Sequence, residues 1–251
     1  MAPADPTARI LVTGASQGIG KAILLALARS GQHVLGVSRS QPEELADPAR
    51  SAESGRLAWR RLDLSHAAEV GKCASSLEAM AIRALILCAV DYGANERHSA
   101  STTSAQEWQQ VIATNCIGHC ILVSRLLPKL IANSPGIIVN LSSDVAILPA
   151  TGRAAYAASK AGLHAMLRAV AAENPVENLR VYQLIPTFQL VTSGLRRRRP
   201  AGFDFSSYAD PALIGQVVNR LVSPSDNSIA SGSYLVRRDG ILDPYSEITH
   251  L

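Results

Sequence analysis

The sequence predicts an α/β fold: a doubly wound parallel sheet of about seven strands with helices on both faces. Three observations carry this. Short apolar runs alternate with helix-period segments along the chain. The strand-like runs are near-continuously apolar, as strands buried on both faces are. A glycine-rich turn joins the first run directly to the first helical segment.

The elements follow in order. Ile10 to Thr13 reads as a buried strand and 18–30 as the helix after it. His33 to Ser38 is a second strand, 56–62 a third, and Ala84 to Ala89 a fourth. A long helical pattern covers 104–132. Ile137 to Leu141 is a fifth strand, followed by helix 154–173 and strand Leu179 to Ile185. Residues 210–222 form a helix and Ser233 to Val236 a last strand. An apolar run alone does not distinguish strand from buried helix; the β-α-β-α order does. One irregular segment, 187–209, is long enough to be a substrate lid. No repeat or linker divides the chain, so 1–251 reads as a single domain.

Composition narrows the function classes. The chain is 47% hydrophobic and 18% charged, which excludes a disordered protein. Aromatics are only 4%, so Ala, Leu, Ile and Val must build the core. The net charge of +4 is too diffuse to mark a nucleic-acid surface. Four cysteines in 251 residues make no disulfide framework. Cys116 and Cys120 lie one helical turn apart, but no second Cys/His pair has ligand spacing, so no metal is expected. Residues 1–9 lack the order of a signal peptide. No uncharged apolar run reaches spanning length, because Arg83 interrupts the richest stretch, 79–90. These features predict a cytoplasmic protein with no membrane contact.

Thr13-Gly-Ala-Ser-Gln-Gly-Ile-Gly20 joins the first strand to the first helix. Gly14 permits the tight turn, Gly18 lets backbone approach a pyrophosphate, and Gly20 lets the helix pack close to the sheet. Helix-start N–H groups then face the phosphates. This is the signature of a Rossmann-type dinucleotide site in its proper strand-turn-helix context. An acid at the end of the second strand usually receives the ribose 2′-OH; here Ser38 stands there and Arg39 follows. A guanidinium suits a 2′-phosphate, which predicts NADP(H), the alternative being a solvated surface charge. Asp63, after the third strand, is placed either to accept from the adenine amino group or to cap the next helix.

Tyr156 and Lys160 are four residues apart, hence on one helix face. A nearby ammonium lowers a phenol pKa and makes it a workable proton donor near neutrality. Ser143 ends the fifth strand, where ligands of a parallel sheet collect. Asn115 lies in the long helix before it.

Together the 13–20 turn, Asp63, Asn115-Cys-Ile-Gly118, Ile137 to Ser143, Tyr156 to Lys160, Pro186 and the 231–240 stretch resemble the short-chain dehydrogenase/reductase family, from Ile10 to about Leu242. The resemblance implies a ketoreductase-like tetrad. Tyr156 is the general acid. Lys160 holds the nicotinamide ribose and depresses the Tyr156 pKa. Ser143 binds the substrate oxygen, and Asn115 holds a water linking Lys160 to solvent. It further implies cofactor contacts at Gly14, Ser16, Gln17, Gly18, Ile19 and Gly20, at Ser38, Arg39, Asp63 and Leu64, and at Ala89, Val90, Tyr156, Lys160 and Pro186. Substrate contacts fall at Asp144, Leu148 and Phe188, with Pro149 and Leu190 beside them. The family is usually tetrameric or dimeric, with helices 104–132 and 154–173 at one interface.

Three positions depart from the family pattern. Leu87-Cys-Ala-Val90 replaces Asn-Asn-Ala-Gly, Pro186-Thr187 replaces Pro-Gly, and Asp144 stands where a small residue is usual. Arg196 to Arg199 lies where the lid begins, either as a solvated run or as a clamp for an anionic substrate such as an acyl thioester. The function implied is NADPH-dependent reduction of a ketone or aldehyde, or the reverse. The alternative is a non-catalytic NADP-binding regulator on the same fold. A sugar epimerase or dehydratase is disfavoured because those relatives carry an added substrate domain.

Overall fold

The computed structural model describes residues 8–46, 56–93, 99–133, 135–148, 151–223 and 228–246. Strand β1, Arg9–Thr13, runs inside the sheet, third from one edge. It is followed by α1, Gly18–Arg29, then β2, Val34–Ser38, the short helix α2, Glu43–Ala46, and β3, Leu57–Arg61. Next come α3, Ala67–Leu77, β4, Ile82–Leu87, and the long α4, Ala105–Ala132. Strand β5, Gly136–Leu141, leads through a single tight turn, Asp144–Ala146, to α5, Ala154–Glu173. Then follow β6, Leu179–Pro186, α6, Ser193–Arg197, α7, Ala212–Leu221, β7, Gly232–Val236, and β8, Leu242–Tyr245.

The strands form one sheet in the order β3-β2-β1-β4-β5-β6-β7-β8. All neighbouring pairs are parallel except β7–β8. The doubly wound parallel sheet is therefore as the sequence predicts, with one strand more than expected. Strand β8 escapes a period-based reading because it is four residues long and contains Pro244. Proline is tolerated there because β8 is an edge strand. Helix α3, implied by the capping alternative for Asp63 but given no bounds from the sequence, has a buried face of Val70, Cys73, Ala74 and Leu77 at helical spacing.

Alternation along the strands builds two cores. Ile10 and Val12 of β1 face one side with Ile23 and Leu24 of α1 and Ile214 and Val218 of α7. Leu11, between them, faces the other side with Leu122 and Leu126 of α4 and Leu163 and Leu167 of α5. Most of these side chains are fully buried, each contributing roughly 1.5–3 kcal/mol of apolar transfer.

Helix α4 starts at an N-cap, with the Ser104 hydroxyl accepting from the Glu107 N–H. Its composition and length would suffice to cross a bilayer, yet Leu122, Val123, Leu126 and Leu130 lie in the core. The helix opens into a π turn over Ala113–Ile117, the turn that carries Asn115.

Candidate active site

The strands β1, β2 and β4 end together on one edge of the sheet, and a cavity of about 290 Å³ opens beside those ends. The glycine turn forms its floor. A Cβ on Gly20 would press into the Gly14 carbonyl, with the carbonyl carbon only 2.8 Å away. A Cβ on Gly14 would meet Cα of Ala89 at 2.7 Å. The turn thus packs backbone on backbone against the β4 end, leaving N–H groups of the α1 start towards the cavity.

Each residue expected to bind cofactor in the glycine turn lines this cavity: Gly14, Ser16, Gln17, Gly18, Ile19 and Gly20. Ser38 and Arg39 line it from β2, Asp63 and Leu64 from β3, and Ala89 and Val90 from β4. Tyr156, Lys160 and Pro186 are not on its wall. The Ser38 hydroxyl donates to the Ser40 carbonyl at 2.8 Å and accepts from the Trp59 indole at 2.9 Å. No carboxylate stands at that strand end; Arg39 is exposed beside it. Asp63 accepts from the Ser65 N–H and hydroxyl, which ties down its own turn. Burial pushes its carboxyl up, but the Ser65 bonds and the charges of His66 and Arg39 outweigh that and hold it below the usual range. The N-cap of α3 is His66, not Asp63.

The cavity rests on a buried polar network that sequence reasoning missed. His119, one turn after Asn115, places Nδ1 3.0 Å from the Asn115 carbonyl. A carbonyl only accepts, so Nδ1 carries the proton and Nε2 is bare. Nε2 lies 3.0 Å from the Thr13 hydroxyl, whose single proton it shares with the more distant Ile86 carbonyl at 3.3 Å. The same hydroxyl accepts from the Cys88 and Ala89 N–H groups at 2.9 and 3.1 Å. Burial drives the His119 pKa down to about 4, consistent with a neutral ring. Thr13 and His119 together hold the end of β4 against the π turn. Thr13 opens the glycine turn, but no motif announces His119.

Asn115 is hydrogen-bonded through both its side-chain polar atoms as well. Its side-chain oxygen accepts from the Asp91 N–H at 2.6 Å. Its amide donates to the Asp91 carbonyl at 2.7 Å and to the Ser159 hydroxyl at 3.0 Å. Ser159 in turn donates to the Tyr156 carbonyl. With its carbonyl held by His119 and its side chain by Asp91 and Ser159, Asn115 is a brace between α4, α5 and the loop after β4.

Helix α5 presents Tyr156 and Lys160 on its buried face. The Lys160 ammonium donates to the Leu141 carbonyl at 2.6 Å. Burial lowers its pKa to about 8, with Cys88 opposing. Tyr156 is 7% exposed. Burial raises its phenol well above the usual value, and Tyr92 adds to that, while the Ser143 hydroxyl bond pulls it down. Desolvation outweighs the neighbouring groups that pull the phenol down, Ser143 and Arg153. Ser143 donates to the Asp144 carboxylate at 2.8 Å, and the Val145 N–H holds the same oxygen at 2.9 Å. Asp144 therefore fixes the Ser143 hydroxyl.

Tyr92 is a second unanticipated residue. Its ring stacks on Tyr156 with centroids 5.0 Å apart. The Arg198 guanidinium lies over the Tyr92 ring as well, 5.1 Å from its centre. The lid reaches the cavity through Thr192, Gly194, Arg197 and Arg198. Gln17 latches it, accepting from Arg197 at 2.7 Å and Ser193 at 3.3 Å. A bridge between Leu190 and Ala209 closes the base of the excursion. The expected substrate contacts are scattered. Leu148 is 61% exposed, Leu190 is buried in the core, and Phe188 packs against that core. Pro149 lies outside the described residues.

Residues 8–200 match the family model described as short chain dehydrogenase. The chain is 29% identical over 182 residues to the 3-oxoacyl-[acyl-carrier-protein] reductase FabG of Chlamydia pneumoniae, covering 72% of this chain and 73% of that one. It is 31% identical over 179 residues to the glycine betaine reductase ATRR of Emericella nidulans, covering 70% of this chain but only 14% of that longer protein. A solved metagenomic short-chain oxidoreductase in complex with NADP superposes with a TM-score of 0.75 at 29% identity, covering 92% of this chain and 96% of that one.

Proposed function

Because the chain belongs to the short chain dehydrogenase family, an oxidoreductase family of carbonyls and alcohols, we propose that it reduces a ketone or aldehyde with NADPH. One observation carries the reading. The glycine-turn cavity and the Ser143–Tyr156–Lys160 group lie at the same edge of the sheet, bridged by Tyr92. The cavity fits a dinucleotide, since its glycines leave room for phosphate against bare backbone. The missing acid at Ser38 and the exposed Arg39 support a 2′-phosphate over a free ribose hydroxyl.

In this reading Gly14 to Gly20 hold the pyrophosphate, Arg39 the 2′-phosphate and Asp63 the adenine amino group. The bound nicotinamide supplies the hydride. Tyr156 keeps its proton at neutral pH, because burial raises its pKa, and releases it to the carbonyl oxygen as negative charge develops there. Ser143 lies beside that phenol, and to hold the same oxygen its hydroxyl turns its single proton from the Asp144 carboxylate to the substrate. Lys160, still mostly protonated at pH 7, supplies the positive charge behind the site. Asn115 braces α5 rather than meeting substrate. Ile117, 46% exposed on α4, supports a homo-oligomer, and we read the chain as a single cytoplasmic domain.

A second reading, a non-catalytic NADP-binding protein, draws on Tyr92, whose ring covers that of Tyr156. The test is NADPH oxidation across a panel of ketones and aldehydes by wild type and Tyr156→Phe. Turnover in the wild type, lost in the variant with NADPH affinity nearly unchanged, supports the reductase. Undiminished turnover by the variant removes Tyr156 from the acid role.

A further inference from the structure

Cys116 and Cys120 stand one helical turn apart on α4, and the proposed reduction uses neither. Their sulfurs lie 3.9 Å apart. Both side chains are partly exposed at the margin of the core, whereas Cys73 and Cys88 are buried. The Cys116 sulfur packs on Gly162 of α5, where a Cβ would come within 3.1 Å of it. Glycine there leaves the space that this sulfur fills.

The two thiols divide their roles. The Cys120 S–H donates to Cys116 and draws the Cys116 pKa down to about 7, with burial opposing. That same bond and burial push Cys120 far above the usual thiol range, so Cys120 keeps its proton. Near neutrality Cys116 is thus largely available as thiolate, the form that attacks an oxidant, with a second thiol beside it to resolve the product. Burial pushes the Cys88 thiol up to about 12 and raises Cys73 as well, so these two stay protonated and inert.

The backbone must yield a little for the sulfurs to join. A disulfide holds its Cβ atoms about 3.5–4.5 Å apart, and residues four apart on a regular α-helix hold theirs about 5–6 Å apart. Cys116 lies in the π turn Ala113–Ile117, where the hydrogen-bond ladder already departs from α register. The adjustment falls on that irregular turn and leaves the regular helix after it alone.

We propose that Cys116 and Cys120 are a redox-active dithiol that a hydroperoxide oxidises to a disulfide within one turn of α4. The Cys116 thiolate attacks the peroxide; an S–O bond forms, the O–O bond breaks, and the departing alkoxide takes a proton from water. The Cys120 thiol then attacks the sulfenic sulfur; the S–S bond forms, the S–O bond breaks, and water leaves with the Cys120 proton. The two thiols are oxidised by the pair of electrons that reduces the peroxide. Neither the glycine-turn cavity nor a carbonyl substrate takes part.

The test exposes the native protein, in its own assembly, to tert-butyl hydroperoxide at pH 7. Thiols are then counted after unfolding, and tryptic peptides are weighed without reduction. Peptide 98–125 holds both cysteines and no other. Wild type loses two of its four thiols, this peptide becomes lighter by two hydrogens, and dithiothreitol restores both readings. Cys120→Ser keeps a hydroxyl donor beside Cys116 but removes the second sulfur, so oxidation stops at a Cys116 sulfenic acid that dimedone captures. Cys116→Ser leaves Cys120 protonated and gives no dimedone adduct. Four thiols surviving in wild type, losses falling on Cys73 or Cys88, or a cross-link between two chains overturns the proposal. Equal dimedone capture in the two variants overturns the division of roles and the proposal with it. The wild-type peptide mass decides the matter even if a variant fails to fold.

Discussion

Replacing Thr13 by Val is the sharpest probe of how the cavity is held. The side chains are nearly isosteric, and Thr13 is buried, so the change removes a hydroxyl and little else. That hydroxyl donates to His119 and accepts from the Cys88 and Ala89 N–H groups. His119 and the two N–H groups lose their bond at once, the Ile86 carbonyl loses its longer contact, and no water-sized gap opens beside them in an isosteric swap. Each orphaned buried group costs roughly 1–3 kcal/mol, so about 3 kcal/mol is a lower expectation for the set. For a chain this long that corresponds to a melting-point drop of roughly 6–12 °C. Thr13→Ser keeps the hydroxyl and sacrifices one methyl, for about 1 kcal/mol. Urea unfolding of the three proteins gives the numbers. A loss below about 1 kcal/mol for Thr13→Val, or equal losses for Val and Ser, would refute the assigned network.

Two further outcomes follow from the same region. His119 has a folded pKa near 4, below the unfolded value of 6.5. As pH falls through 6.5 the unfolded chain takes up a proton that the folded one refuses until about 4, so stability drops across that window, by about 3 kcal/mol, and levels below it. Urea melts from pH 7 to 4 should show this slope, and His119→Gln should flatten it; an unchanged slope in the variant assigns the acid sensitivity elsewhere. Gly20→Ala places a methyl against the Gly14 backbone, which has no side chain to rotate away. The turn must shift, at about 1–3 kcal/mol, and calorimetry should show NADPH binding lost or much weakened; wild-type affinity would mean the turn is not the phosphate seat.

The parts legible in the sequence are those fixed by local rules. The glycine turn, the alternating order of elements and the Tyr156/Lys160 spacing each require particular residue types at particular intervals. The cavity lining by Gly14 to Gly20, Arg39 and Asp63 follows from those intervals. What was not legible depends on contacts far apart in the chain. Thr13 and His119 are 106 residues apart and meet only because β1 and α4 pack together. Tyr92 carries no motif, and its place on Tyr156 depends on Asn115 pinning Asp91. The π turn at 113–117 is a defect in hydrogen-bond register that a hydrophobic period does not register. The substrate residues were the weakest reading, because Leu148 and Phe188 were placed by family geometry while this lid folds over its own aromatic cluster.

The central claim is that the β1–β2–β4 edge of the sheet is an NADP(H) site. Calorimetric titration of the protein with NADPH and, separately, with NADH tests it most directly. The account predicts tight NADPH binding and weak NADH binding, with Arg39→Ala closing most of the gap by weakening NADPH. Binding of neither nucleotide, or equal binding of both that Arg39→Ala leaves equal, would contradict it.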